Sequence, residues 1–433
     1  MDSACAEIIK LAEKVMDGGE ITEEEAKKLI RTKDEDTMLL LAMADKIRQK
    51  FNGNAVDFCA IINARSGHCQ ENCKFCAQSG WYHTGAKVYR LLPEDEILEA
   101  AKKAKAAGAV RFSLVTSGRN QDNPNEFEEI IDIVKKIREQ VGIEVCCSLG
   151  LITKEQAIRL KEAGITRIHC NIETAPSYFP EVCSTHSMED KEVIIRTAQE
   201  AGIRVCSGGI IGLGESLDQR VEMAFKLKSM HIDSIPMNIL NPVKGTPFYT
   251  NRRLPPLEVL RTFAMFRFVL PKALIRTAGG REVNLRSLQA YALTGGLNGI
   301  MVGGYLTFSG VDAKGKWHDT AVQQVLPVEV LTVDDRMEHC EGTTPVTVAE
   351  HEALNGIPRE FPQVLGYNKT IAKPEAVVAA VVDDDPFIAF GEYGKGKSAV
   401  VTTDCAPHWA PPEFCEWEYY NRMWQGIMDW LTK

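Results

Sequence analysis

Apolar positions near the start of the chain recur at helical spacing. Ile8, Ile9, Leu11 and Ala12 fall together, and Leu39, Leu40, Leu41 and Ala44 repeat the pattern, so residues 1–52 read as a cap of two or three amphipathic helices. From Phe58 the pattern changes: short β-branched runs alternate with helices rich in Ala, Glu and Lys. The junctions Ala107-Gly108, Ala163-Gly164 and Ala201-Gly202 share one design, in which glycine ends a helix and a strand follows. Candidate strands are 58–64, 110–116, 143–148, 166–173, 203–209, 233–239, 273–278 and 298–303. This succession predicts an α/β fold, a closed parallel (βα)8 TIM barrel over residues 53–310, in preference to an open doubly wound sheet.

The alternation stops after Ser309-Gly310, and Asp312 to Lys316 reads as a linker. Beyond it lie Trp317, Trp409, Trp417, Trp424 and Trp430, five of the six tryptophans, so residues 311–433 are expected to form a small separate α+β domain. Phe387–Phe390 and Ser398–Thr402 flank a Gly-Lys-Gly turn and predict a hairpin. Phe414, Trp417, Trp424, Met428 and Leu431 predict a terminal helix whose aromatic face serves as core or interface.

Composition narrows the function classes. With 45% hydrophobic and 25% charged residues the chain is an ordinary globular protein, and a net charge of -9 gives no footprint for nucleic acid. The first twenty residues lack a signal-peptide pattern, and no apolar run is long enough to span a membrane, so a cytoplasmic location is expected. In that compartment the 13 cysteines are candidates for metal or redox chemistry rather than disulfides.

The clearest motif is Gly67-His68-Cys69-Gln-Glu-Asn-Cys73-Lys-Phe75-Cys76, directly after the first candidate strand. Three thiolates in one short loop can hold three irons of a cubane and leave the fourth open to a substrate. Structural zinc would call for a fourth protein ligand, and no partner Cys-x2-Cys follows. Cys59, inside the first strand, reads as a small buried hydrophobe. Alternation along the fourth strand puts His169, Asn171 and Glu173 on one face, opposite Ile168, Cys170 and Ile172. Cys146, Cys206, Asn238 and Arg276 sit mid-to-late in other strands, and their convergence in the lumen would make a second site.

The thiol loop resembles the radical S-adenosylmethionine superfamily. Residues from about 35 to 309 also resemble the biotin synthase family, on Ser66-Gly-His-Cys69 through Cys76-Ala-Gln-Ser79, Cys206-Ser-Gly-Gly-Ile-Ile-Gly-Leu-Gly-Glu215, Pro236-Met-Asn238, Lys244-Gly-Thr-Pro247 and Arg276-Thr-Ala-Gly-Gly-Arg281-Glu. The resemblance implies a 4Fe-4S cluster on Cys69, Cys73 and Cys76, with S-adenosyl-L-methionine on its open iron. It implies Phe75 against adenine, Asn171 and Glu173 on the ribose, and Lys191 on the methionine carboxylate. Dethiobiotin is the implied substrate, touched by Asn171 and Asn238, with sulfur drawn from an auxiliary iron-sulfur cluster on Cys146, Cys206 and Arg276. Cys69, Cys73, Cys76 and Arg276 are thus the expected reacting machinery. An electron donor such as flavodoxin or ferredoxin is implied, and a homodimer is compatible with the family.

Two residues depart from the family pattern conservatively, Glu173 for aspartate and Lys191 for arginine. A third departure is larger: Arg111-Phe112-Ser113 carries serine where the family has its fourth auxiliary ligand, and a hydroxyl ligates iron poorly beside thiolates. Strand parity turns Cys147 and Cys170 away from the lumen, which leaves Cys183 as the expected replacement in a rearranged cluster whose nuclearity can exceed that of a 2Fe-2S type. Residues 316–433 resemble part of glutamine-amidotransferase-like proteins at Leu365–Asn368, Gly391–Lys397 and Thr403–Trp409, but the half bearing a nucleophile elbow is absent. Cys405 and His408 are therefore not expected to catalyse amide transfer, and docking, dimerisation or cluster shielding fits the tail better. Another barrel-type radical enzyme, and a non-enzymatic iron-sulfur carrier with an interaction tail, are the competing readings.

Overall fold

The computed structural model describes residues 3–301, 321–331, 335–394, 396–404 and 409–432. The linker read at 312–316, and Trp317, Cys405 and His408, lie outside the described residues. The chain divides into two compact units, Met1–Gly310 and Val311–Lys433.

In the first unit every strand pair is parallel. The strands are β1 (Asp57–Arg65), β2 (Arg111–Thr116), β3 (Glu144–Ser148), β4 (Ile165–His169), β5 (Arg204–Cys206), β6 (Gly209–Ile211), β7 (Ser234–Ile239), β8 (Leu274–Thr277) and β9 (Gly299–Met301). The order β5-β4-β3-β2-β1-β9-β8-β7-β6, with β5 also pairing β7, closes a barrel in which β5 and β6 are halves of one stave. That stave was expected as one strand over 203–209. It breaks because a Cβ on Gly208 would lie 2.0 Å from the Pro236 carbonyl oxygen, and one on Gly209 would lie 2.4 Å from Met223 Sδ. Only glycine lets the stave pass this close to its neighbours.

The fourth stave also ends earlier than expected, at His169. Its hydrogen bonding nevertheless continues, since Cys170 N donates to Cys206 O and Ile172 N to Gly208 O. Glu173 then turns through a left-handed φ of 64°.

Closure decides which side chains share a level. In an eight-stave barrel with a shear of about eight, a path stays level by climbing one residue for each stave crossed. Cys59 pairs with Arg111, and Arg111 with Glu144, two residues below Cys146. Cys146 pairs with Arg167, and Arg167 with Arg204, two below Cys206. Cys206 pairs with Ser234, and Ser234 with Leu274, two below Arg276. Arg276 pairs with Gly299, and Gly299 with Asp57, two below Cys59, so the path returns to its start. Cys59, Cys146, Cys206 and Arg276 therefore form one level on alternate staves. The same walk from Ser113 places it level with His169, Pro236 and Met301, one step nearer the C-terminal ends.

The cap is three helices, α1 (Ser3–Met16), α2 (Glu23–Ile30) and α3 (Thr37–Asn52). A Thr22–Glu25 capping box starts α2. Leu40, Leu41, Ala44 and Ile47 bury one face of α3 in the same apolar core as the helix Pro256–Val269. Arg267 on that helix is fully buried, and it donates to the carbonyls of Gly296, Leu270, Pro271 and Ala273 and to Asn298 Oδ1.

In the second unit Asp385–Tyr393 and Gly396–Val401 pair antiparallel, as the expected hairpin, within a four-stranded sheet. The terminal helix is Tyr420–Thr432, and its buried face is Met423, Ile427 and Trp430. Met428, expected on that face, is 54% exposed, while Phe414 belongs to a separate short helix, Pro412–Cys415. Aromatic spacing alone placed the stripe one step off.

Candidate functional site

The thiol loop is built by its own backbone. Gly67 takes φ 81°, and a Cβ there would lie 2.6 Å from Val88 Cγ2. Cys69 N donates to Gln78 O at 3.0 Å, Gly80 N to Cys69 O at 2.8 Å, and Cys76 N to Cys73 O at 2.9 Å. Lys74 N donates to Val182 O at 2.9 Å and Asn72 N to Thr185 Oγ1 at 3.1 Å, which staple the loop to the segment after the fourth stave.

Cys69, Cys73 and Cys76 line a cavity of about 420 Å³ at the C-terminal ends of the staves, together with Phe75, Asn171, Glu173, Lys191 and Asn238. The structure thus brings these eight expected site residues together. Phe75 packs against Val182, Ile210, Leu213 and Leu240. Asn171 Oδ1 accepts from Gly208 N at 3.1 Å, and among the described residues its Nδ2 has no protein partner. Asn238 is more constrained: its Nδ2 donates to Gly209 O at 3.3 Å and its Oδ1 accepts from Gly279 N at 2.9 Å. Burial pushes the Glu173 carboxyl up, against the opposing pull of Lys191. Burial works to lower the Lys191 ammonium, but Cys170, Glu173, Cys73 and Cys183 outweigh it and hold the pKa up. Among the described residues no hydrogen bond or ion pair engages that ammonium, so it is available to an anionic group in the cavity.

Cys183 corrects an expectation. It does not join Cys146 and Cys206 in the lumen, because its short helix Phe179–Val182 packs behind the thiol loop and sets its Sγ 3.7 Å from Cys73 Sγ. His186 Nδ1 lies 3.2 Å from that sulfur and 2.8 Å from Glu71 Oε2, and Arg119 Nη1 reaches Glu71 Oε1 at 3.1 Å. Hydrogen bonds from Cys73, His186 and Thr185 outweigh burial and lower the pKa of the Cys183 thiol. No sequence motif announced this Glu71, His186 and Arg119 support, which forms only when the two segments dock.

Deeper in the lumen, Cys59, Cys146 and Cys206 are fully buried yet stand outside the apolar core to which Cys147 and Cys170 belong. Burial raises the Cys146 thiol to about 12, with Cys59 and Cys206 adding to the rise. Burial acts in the same direction on Cys206, but His169, Arg276 and a 3.3 Å hydrogen bond from Ser234 Oγ overcome it and lower the pKa to about 6. Arg276 is wholly buried; its Nη2 reaches Asp57 Oδ1 and Ser234 Oγ at 3.3 Å each, while Nε and Nη1 have no partner. Ser113 Oγ, Ser207 Oγ and His169 Nε2 are likewise buried without a hydrogen bond. Such a concentration of unmet polar groups marks a place built around a further group.

Both sites fit iron-sulfur groups by donor chemistry: three loop thiols facing a cavity above, and thiols with an unsatisfied guanidinium below. The biotin synthase of Pelotomaculum thermopropionicum is 52% identical over 301 residues, which span 70% of this chain and 94% of that protein. This chain belongs to the biotin synthase family. A second biotin synthase, from Carboxydothermus hydrogenoformans, is 46% identical over 319 residues, 73% of this chain and 97% of that protein. Residues 64–227 match the radical SAM superfamily and residues 262–433 match GATase1-like, a glutamine amidotransferase family. The crystal structure of a methylornithine synthase shares the fold, with TM-score 0.63 at 21% identity over 73% of this chain and 94% of that one. As a biotin synthase family member the chain is a radical S-adenosylmethionine enzyme, with the 4Fe-4S cluster and S-adenosylmethionine that the family implies. Among the described residues no helix is long and apolar enough to cross a membrane.

Proposed function

We propose that this site inserts sulfur into dethiobiotin to close the ring of biotin. The observation that carries the reading is vertical order in one lumen: a thiol loop at the cavity mouth, and beneath its floor a sealed level of thiols and Arg276. When bound, the loop cluster and S-adenosylmethionine supply a carbon radical able to take hydrogen from an unactivated C–H bond.

The chain's own residues do the rest. Cys69, Cys73 and Cys76 hold the loop cluster, and Phe75 offers an apolar face to adenine. Glu173 and Asn171 take the ribose hydroxyls, and Lys191 pairs with the methionine carboxylate. The free Asn171 Nδ2 and the clamped Asn238 orient dethiobiotin. Cys146, Cys206 and Arg276 hold an auxiliary iron-sulfur group as the sulfur source, and the buried walls keep water and stray hydrogen donors out. A cytoplasmic flavodoxin or ferredoxin supplies electrons.

The test is anaerobic mass spectrometry of the reconstituted full chain with reductant, S-adenosylmethionine and dethiobiotin. Biotin with about two equivalents of 5′-deoxyadenosine is expected, one for each C–H bond broken. Ample 5′-deoxyadenosine without biotin, from protein shown to hold both groups, would overturn the substrate assignment.

A further inference from the structure

The lumen level is complete in a way that the Ser113 departure conceals. Cys59 on β1, Cys146 on β3, Cys206 on the β5/β6 stave and Arg276 on β8 occupy four alternate staves at one height, as the closed register requires. A barrel packs its lumen in just such sets of four. Ser113 belongs to the next level, with His169, Pro236 and Met301.

Cys59 was read from the sequence as an apolar packing residue. Its surroundings are not apolar: it lies within electrostatic range of Cys146, His169 and Arg276, and the His169 imidazole faces both Cys59 and Cys206. Its sulfur meets the Ala60 carbonyl oxygen at 3.9 Å on one side and the His169 imidazole on the other. A thiol placed merely to fill space would sit among side chains like those around Cys147, which packs in the apolar core.

We propose that Cys59 is the third protein thiolate of the auxiliary iron-sulfur group, with Cys146 and Cys206, in place of the ligand missing at Ser113, Arg276 closing the same level. The assignment rests on the proposed presence of that group. On coordination the Cys59 thiol releases its proton, and the thiolate donates an electron pair to iron. Moving the ligand from the second stave to the first brings all four donors to one level and frees the position of Ser113 above it. Ser113 Oγ and His169 Nε2, both unpartnered, then face the group from the cavity side.

The experiment is Mössbauer spectroscopy with iron and sulfide counts on anaerobically reconstituted full chain, comparing wild type with Cys59→Ser and Ser113→Ala. For Cys59→Ser, loss of the auxiliary signal is expected, with iron falling to about four per chain, that of the loop cluster. Far-UV circular dichroism and S-adenosylmethionine cleavage should be retained, which separates ligand loss from misfolding. Ser113→Ala should leave both signals unchanged. An auxiliary signal kept in Cys59→Ser, or lost in Ser113→Ala, overturns the assignment while leaving the proposed reaction standing. A wild type with both signals but no biotin refutes the reaction and leaves the ligand assignment supported. A wild type without auxiliary iron overturns both.

Discussion

Lys191 and Cys183 show how a side chain near the loop cluster can have two kinds of role. Lys191 lines the cavity with an unengaged ammonium, whereas Cys183 lies outside its lining, against the back of Cys73. Replacing Lys191 by Met keeps length and apolar volume but removes the charge. A lost charge-assisted contact of about 1.5–3 kcal/mol weakens binding by roughly ten- to a hundredfold. S-adenosylmethionine titrated into the Lys191→Met holoprotein should therefore bind that much more weakly, with the loop-cluster spectrum unchanged. Equal affinity would remove Lys191 from the carboxylate. Cys183→Ala should leave the auxiliary Mössbauer signal intact, because its sulfur belongs to the loop side of the lumen. Loss of that signal would reinstate Cys183 as an auxiliary ligand. Sequence reasoning reached Lys191 through resemblance, but misplaced Cys183 because the docking of a loop on a short helix leaves no periodic trace.

Several staves were legible because local chemistry announces them, a helix-ending glycine followed by β-branched residues, as at Gly108, Gly164 and Gly202. Parity within a strand likewise put His169 and Asn171 on the cavity side, but Cys170, expected to face away, also lines the cavity because the regular strand ends at His169. The level of a residue was not legible, since it depends on the register of every stave around the closed barrel. That is why strand position alone set neither Cys59 on the level of Cys146, Cys206 and Arg276 nor Ser113 on the next one. The break between β5 and β6 is a further consequence of closure, because the atoms that exclude a Cβ at Gly208 belong to Pro236 on β7. Gly208→Ala forces these backbones apart. Overpacking of this kind destabilises by about 1–3 kcal/mol, so the barrel should unfold at lower urea in circular dichroism. An unchanged midpoint would mean the crossing has room that the 2.0 Å approach denies.

At the scale of the whole chain the two units carry different sensitivities. The barrel buries unpaired polar groups in its lumen, whereas the second unit has an aromatic core against which the His351 imidazole is packed. His351 stacks on Phe390 at 3.7 Å between ring centroids and meets Trp430 edge-on at 5.0 Å. Its Nδ1 accepts a hydrogen bond from Ala353 N at 3.2 Å, which requires that nitrogen to be unprotonated. Burial lowers the His351 pKa; Glu352 opposes the shift and Lys397 reinforces it. With the folded value depressed, the unfolded chain takes up the proton first as pH falls. The ring's contribution to stability is therefore full above an unfolded value of about 6.5 and is lost as pH drops through the folded one. Five of the six tryptophans lie beyond residue 316, so tryptophan fluorescence of the full chain follows this unit's melting. The transition should move to lower temperature between pH of about 7.5 and 5.5, and His351→Phe, which keeps the stack and removes the titration, should flatten that dependence. A wild-type transition that stays level over this range, or a Phe variant that keeps the full slope, would place the proton uptake elsewhere in the unit.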